Sequence, residues 1–388
     1  MPLVPTLLVL ALFAGVHLRY LQIQRAENSF YLFSRQVGRG EFAEAQGNIE
    51  NAIRLTPNNA HYLSNAALLH ARMSLRDFDF AGYRKPQLAQ EETANLTRAA
   101  EYYRQVLELN RYDDHACHNL GWIYWLMQQP EEALLYLRRA VSLDESMPLY
   151  HISLGILYEY GDRRQDAYGE YARAIRLSSG VTESRFFREF RERFRTQADA
   201  LVDEVITSLE DEVRRGAGPI VKARLGKLQL DRHPDRAADL LREATLGLSN
   251  LSRPWTNLGL WYEQRADFEQ ARRSYRKALF IDSNDVTAIV GLARYYEQRQ
   301  QEQDAINTYR RAVDSWLGQM SDHSGRVRRI YVARFTVRND VLPGGLLAYT
   351  SPFFDKAATC ARISAFFEKA GKQDLAAYYE RLGKEYDP

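Results

Sequence analysis

The sequence predicts an all-α fold, a stack of helix pairs behind an apolar N-terminal helix. Three observations predict it. Small residues recur at a spacing of 34: Gly121 and Gly155, Ala133 and Ala167, then Ala237, Ala271 and Ala305. Apolar residues between these markers follow helical spacing. The opening stretch Leu3–Val16 carries no charge. A chain of 388 residues with 45% hydrophobic content can bury a sizeable core. Its net charge of +2 argues against a dedicated nucleic-acid binder, which would be strongly basic. Two distant cysteines, Cys117 and Cys360, supply neither a disulfide framework nor zinc-ribbon spacing.

The first element, residues 1–25, reads as a membrane anchor. Its charge-free core is short for a bilayer of about 30 Å, but extension to Ile23 gives about 21 residues with Arg19 snorkelling. No basic residue precedes it and no small-residue cleavage site follows it, so it does not resemble a signal peptide. A signal peptide, an interfacial helix and a piece of a larger membrane protein stay open as alternatives. Arg19 and Arg25 follow the segment, which favours a single-pass protein with its body on the cytoplasmic rather than the periplasmic side.

Next come the repeats. In "WTNLGLWYEQRADFEQARRSYRKALFIDSN", Trp255 fills a leading bulky slot and Leu258–Gly259 a Leu-small pair. Tyr262 fills an aromatic slot, and Ala271, Tyr275 and Ala278 form the seam of a second helix. The same slots recur in "NLGWIYWLMQQPEEALLYLRRAVSLDE" from Asn119 and in "SLGILYEYGDRRQDAYGEYARAIRLSS" from Ser153. Each unit resembles a tetratricopeptide repeat. That resemblance implies a superhelix, or α-solenoid, whose first helices line a concave groove. One unit alone exposes an apolar face, so stacking is required for stability. A first array covers 26–181 and a second 218–319, with a capping repeat at 357–388. The unit 218–251 departs from the pattern: its "RLGKLQL" lies one residue out of phase with Ala237 and Ala244.

Three segments interrupt the period. An insertion at 74–92, with Phe78, Phe80 and Tyr83, is an elongated turn or a flap over the groove. Residues 182–217 occupy one repeat plus two residues and read as a divergent helical linker or degenerate repeat. They open on "RFFREFRERFR", where Phe186, Phe190 and Phe194 continue through Ala198, Leu201, Val205 and Leu209 as one apolar stripe. The phenylalanines should pack on neighbouring repeats, with Glu189 paired to Arg193 along the helix. Arg188, Arg191 and Arg195 would form a basic contact surface for lipid or an acidic partner. The segment 320–356, with "RVRRIYVARFTVR" and a Pro-Gly-Gly turn, permits a hairpin, an irregular loop or a basic helix. It is a spacer or a partner site.

No sequence motif points to catalysis. "HACH", His115–His118, invites a metal, but Cys117 falls in a core-facing repeat slot and no other ligand lies at metal spacing. Phosphate loops, nucleophile elbows and H-E-x-x-H are missing. No cofactor, nucleic acid or small-molecule substrate is expected, and the protein reads as a non-enzyme. The resemblance instead implies a partner-binding groove: Asn65, His118, Asn119, Trp122, Trp125, Ile152, Ile156 and Tyr160, then Arg253, Asn257, Leu260 and Arg294. Asn65, Asn119 and Asn257 share one slot, and an Asn amide can pair both groups of a peptide backbone. The Lys and second-Asn slots of the family's clamp for acidic carboxy-terminal tails are unfilled. Trp122, Trp125, Ile152 and Ile156 would offer apolar anchors or pack on the insertion.

The expected function is a membrane-anchored scaffold that recruits protein partners in assembling an envelope or membrane complex. The layout is similar to that of the lipopolysaccharide assembly protein B family, without the four cysteines of that family's metal module. The alternatives are an accessory component of a surface-polysaccharide ligase or polymerase system and a permanent subunit of a membrane complex.

Overall fold

The computed structural model describes residues 3–37, 41–74, 89–247, 250–320 and 356–385. All regular structure among them is helical. They fall into two compact units, one within Met1–Asp162 and one within Arg163–Arg328 with Gly345–Pro388.

The first unit runs α1 (Leu3–Val37), α2 (Phe42–Leu55), α3 (Ala60–Ser74), α4 (Gln90–Leu109), α5 (Asp114–Leu126), α6 (Pro130–Leu143) and α7 (Pro148–Tyr160). Each helix packs on its sequence neighbour in a continuing stack. The second unit begins with α8 (Arg164–Leu177) and a 3-10 turn at Ser179–Glu183. It continues through α9 (Arg185–Arg193), α10 (Arg195–Arg214), α11 (Pro219–Gln229), α12 (Pro234–Gly247), α13 (Ser252–Gln264) and α14 (Phe268–Ile281). It ends with α15 (Val286–Gln298), α16 (Glu302–Met320), α17 (Lys356–Lys369) and α18 (Gln373–Glu385).

The N-terminal expectation needs correction. Among the described residues no helix is long and apolar enough to cross a membrane. This overturns the single-pass localisation and leaves the transmembrane reading of 1–25 and the membrane partnership without support. The physical reason lies in α1. Its unbroken apolar run ends at Val16, before His17 and Arg19, and fourteen residues fall short of the about 20 that a span requires. Its later turns belong to the first repeat instead: Ala26, Phe30 and Phe33 are buried with Ala45, Ile49 and Ala52 of α2. Most of the insertion at 74–92 and of the segment at 320–356 lies outside the described residues. So do Phe78, Phe80 and Tyr83.

Close helix approach accounts for the small residues of the period. A Cβ on Gly121 would come within 2.7 Å of Leu137. One on Gly259 would lie 2.4 Å from the Tyr275 ring, and one on Gly291 2.3 Å from the other side of the same ring. Tyr275 is fully buried, and its hydroxyl donates to Glu263 at 2.6 Å. Helix starts are equally local. Asp113, Asp267 and Asp285 cap α5, α14 and α15 by accepting from Ala116, Gln270 and Ala288.

The turns between paired helices repeat as well. Gln128, Asp162, Ala266 and Gln300 all adopt left-handed backbone, with φ between 57° and 61°. The unit 218–251 has no such residue in its turn. Here Gly226 faces Leu241 and the Ala237 carbonyl, the contacts that Gly121 makes with Leu137 and the Ala133 carbonyl. Gly226 lies 11 positions before Ala237, whereas Gly121 lies 12 before Ala133. The phase slip of "RLGKLQL" is therefore an early helix end: α11 stops at Gln229, three residues after Gly226, whereas α5 stops at Leu126, five after Gly121, and the turn that follows is one residue longer.

The "RFFREFRERFR" stretch folds as two helices that break at Phe194. Phe186, Phe187 and Phe190 are buried, with Phe186 and Phe190 against Tyr171 of α8 at 4.9 and 5.2 Å between ring centres. Ala198, Leu201, Val205 and Leu209 carry the buried stripe along α10. α10 packs on α8 and on α11, so this stretch fills the place of a repeat within the second unit.

Candidate partner-binding site

In the first unit, the inner positions of α3, α5 and α7 are closed by their own side chains. Asn65 is buried, and its amide donates to the His61 carbonyl at 2.7 Å. Asn119 is buried and donates to the Tyr103 hydroxyl at 3.1 Å. Trp122 donates to Ser153 Oγ at 3.1 Å, while His118 Nε2 shares the same hydroxyl at 2.8 Å. Trp122 meets Trp125 edge to face at 5.3 Å, and Trp125 meets Tyr160 at 5.8 Å. Ile152 and Ile156 are buried beside them. Tyr160 alone of this set is exposed, at 40%. Burial also pushes the Cys117 thiol up to about 11, an inert state for that sulfur.

The second unit differs. A cleft of about 260 Å³ opens between the 3-10 turn, α11 and α13, and reaches the start of α15. Arg253, Asn257 and Leu260 line it, together with Ile220, Arg224 and Leu251. Ile220 and Leu251 are 47% and 42% exposed, so the cleft offers apolar surface to a ligand. Its other charges are occupied. Lys227 pairs with Glu183. Asp285 accepts from the Thr256 hydroxyl at 2.7 Å and from the Ala288 amide at 3.1 Å. Arg224 is half-buried, and burial holds its guanidinium below the usual arginine range, opposed by the nearby Glu212 carboxylate. Arg294 stays out of the lining. It grips Glu263 in a two-pronged ion pair at 2.6 and 2.8 Å, tying α15 to α13.

Comparison with known proteins bears on both units. A family model described as tetratricopeptide repeat matches residues 114–147, and a second of the same description matches 255–285. The chain carries tetratricopeptide repeats. It is 24% identical over 203 residues to the TPR repeat-containing protein MJ1428 of Methanocaldococcus jannaschii. That match covers 50% of this chain and 35% of the relative, so the chain spans about a third of the relative's length. Among solved structures, PilF of Pseudomonas aeruginosa is 17% identical with a TM-score of 0.32, covering 71% of this chain and 94% of that one. YrrB, described as a TPR protein with an unusual peptide-binding site, is 14% identical with a TM-score of 0.25, covering 61% and 99%. Tetratricopeptide repeats generally bind protein or peptide partners and are generally non-catalytic.

The repeat register explains which site residue sequence reasoning missed. Asn119 and Asn257 stand two positions before Gly121 and Gly259. Two positions before Gly226 stands Arg224. Aligned on Ala237, the early end of α11 hides this; aligned on the glycine, Arg224 falls in the slot of Asn119, Ser153 and Asn257. The basic surface lies elsewhere, on α9 and the start of α10. Arg188 and Arg195 are exposed, and Arg191 pairs with Asp199 at 2.6 Å. Arg193 donates to the Glu189 carbonyl at 3.4 Å and lies over the Phe194 ring at 5.2 Å. His115 meets the Tyr150 hydroxyl at 3.1 Å, and among the described residues no group of three or more His, Cys, Asp or Glu could hold a metal ion.

Proposed function

We propose that this chain is a non-enzymatic scaffold that holds a segment of a partner protein in the cleft of the second unit. The observation that carries this reading is the cleft itself. It presents exposed Ile220 and Leu251 beside Arg253 and Asn257, a mixture of apolar anchors and backbone-pairing groups suited to a peptide. Two repeat arrays, at 26–181 and 218–319, would then divide the work. The first provides a packed platform and the second the recognition surface, with the α9–α10 segment in the place of a repeat. The envelope-assembly role rested on the anchor and is not carried with it.

Photocrosslinking in the source cell tests this. A photoreactive residue at Asn257 should crosslink a discrete partner, and the double variant Ile220→Asn/Leu251→Asn should abolish the product. The same residue at Phe280, which is 89% exposed and outside the cleft lining, should not give it. Equal capture from both positions would sink the assignment.

A further inference from the structure

The cleft carries one charged group whose hydrogen-bonding capacity the fold leaves unspent. An arginine guanidinium has five N–H donors in a planar fork that fits a carboxylate. Arg224 makes no hydrogen bond among the described residues; its resolved neighbours are charges, Glu212 and Arg176. Glu212 is itself paired to Arg176 at 2.9 Å. The anions that line the cleft are committed as well, Glu183 to Lys227 and Asp285 to the α15 cap and Thr256. Arg253 is already engaged in the fold. The cleft therefore holds a positive charge on Arg224 that no hydrogen bond engages, partly withdrawn from water, beside the exposed side chains of Ile220 and Leu251. A half-desolvated cation gains most from an anion delivered with its own apolar cover.

We propose that the cleft selects a partner segment bearing an internal Glu or Asp, whose side-chain carboxylate docks on Arg224 while a neighbouring apolar residue packs on Ile220 and Leu251. This rests on the cleft being the partner site. A side-chain carboxylate is favoured over a chain terminus because exposed apolar side chains lie on both the α11 and the α13 side, at Ile220 and Leu251, which suits a segment passing through. Capture of a terminus relies instead on a nest of backbone donors. Arg224 also shares its repeat slot with Asn257, so the two face a bound segment from successive first helices, one for its backbone and one for its charge.

The test is a panel of acetylated, C-terminally amidated peptides in which one Glu stands two, three or four residues from one Leu. Each is paired with its Gln counterpart, and binding to the full chain is read by fluorescence anisotropy. Some Glu members should bind about ten-fold or more tightly than their Gln partners, the usual scale of a hydrogen bond to a charged group. Arg224→Gln should erase that preference, Arg224→Lys should keep part of it, and Arg224→Glu should turn it toward Lys-bearing peptides. Far-UV circular dichroism of each variant guards against misfolding, and the Lys variant keeps the test decisive if Gln unfolds the chain. Equal binding of Glu and Gln peptides, or a preference that survives Arg224→Gln, overturns the proposal. So does binding that appears only when the amide is left off and the Gln peptides carry a free carboxy terminus. If binding of either kind is lost in Ile220→Asn/Leu251→Asn, the cleft still stands as the partner site and only the acidic preference falls. If no peptide binds, or binding ignores that double variant, both readings fail.

Discussion

The inner face of the first unit and the cleft of the second are built from the same repeat positions and end in opposite states. One position after the small residue stands Trp122 in the first unit, but Lys227 and Leu260 in the second. Four positions after it stands Trp125 in one and Glu263 in the other. The indoles meet each other and fill the face, leaving both tryptophans less than 5% exposed. Charged side chains at those slots cannot be buried without partners. Lys227 and Glu263 take theirs, Glu183 and Arg294, and the space beside Lys227 stays open as the cleft. A repeat slot thus sets where a side chain points from its helix. The bulk and charge at neighbouring slots decide whether it packs or binds.

The strongest way to break this comparison is to empty the packed face. Trp122→Ala should cost about 3–5 kcal/mol, the range for a large buried aromatic. Ile220→Asn/Leu251→Asn, on exposed cleft positions, should stay within about 0.5 kcal/mol per site. Urea denaturation followed by circular dichroism measures both, and similar losses would erase the distinction. Next in size is Gly259→Ala. The new methyl would strike the Tyr275 ring, and overpacking of this kind costs about 1–3 kcal/mol. That cost would show that the second unit is tightly packed behind its open cleft. A neutral Gly259→Ala would mean that the Tyr275 ring moves freely.

Much of this was legible before any coordinates. The 34-residue ladder located the helix pairs because the Leu137 and Tyr275 side chains of the paired helices press on Gly121 and Gly259 and leave no room for a larger residue. Of the stripe read from Phe186 to Leu209, all but the half-buried Phe194 are buried, and Phe187, outside it, is buried too. Exposure was not legible. Periodicity assigns Trp122 and Asn257 to corresponding faces, yet only the three-dimensional neighbours show that one is covered. Arg294 looked like a groove residue because its partner Glu263 lies 31 positions away, on the preceding first helix. Arg224 was missed for a local reason, a helix that ends early after its small residue. The anchor was misjudged because an apolar run was extended through charged residues into a helix whose later turns serve the first repeat.

Acid should separate the two units by a smaller effect. In the first unit, burial holds His70 and His61 below the ordinary histidine value of 6.5, His70 despite its hydrogen bond to Asn95 and both despite a nearby glutamate. Between the lowered folded values and 6.5, the unfolded chain binds more protons than the folded one. Stability is therefore full above about 6.5 and falls as pH drops through that window. Denaturation midpoints compared at pH 7.5 and 5.5 should show the loss, and His70→Gln should reduce it. An unchanged loss in His70→Gln would assign the acid sensitivity to another group.

The smallest expected effect bears on the altered turn after α11. Ala266 pays for a left-handed backbone that glycine adopts freely, a difference of roughly 1 kcal/mol. Ala266→Gly should therefore stabilise the second unit by up to about 1 kcal/mol, against the usual penalty for adding a glycine. Arg232, in the turn of 218–251, has no positive φ, so Arg232→Gly gains nothing there and loses the ion pair to Asp203. Opposite signs at these two turns, read from the same urea titration, would confirm that the missing residue changed the turn's backbone as well as its register. A stabilising Arg232→Gly would mean that the altered turn still carries the strain of the regular one.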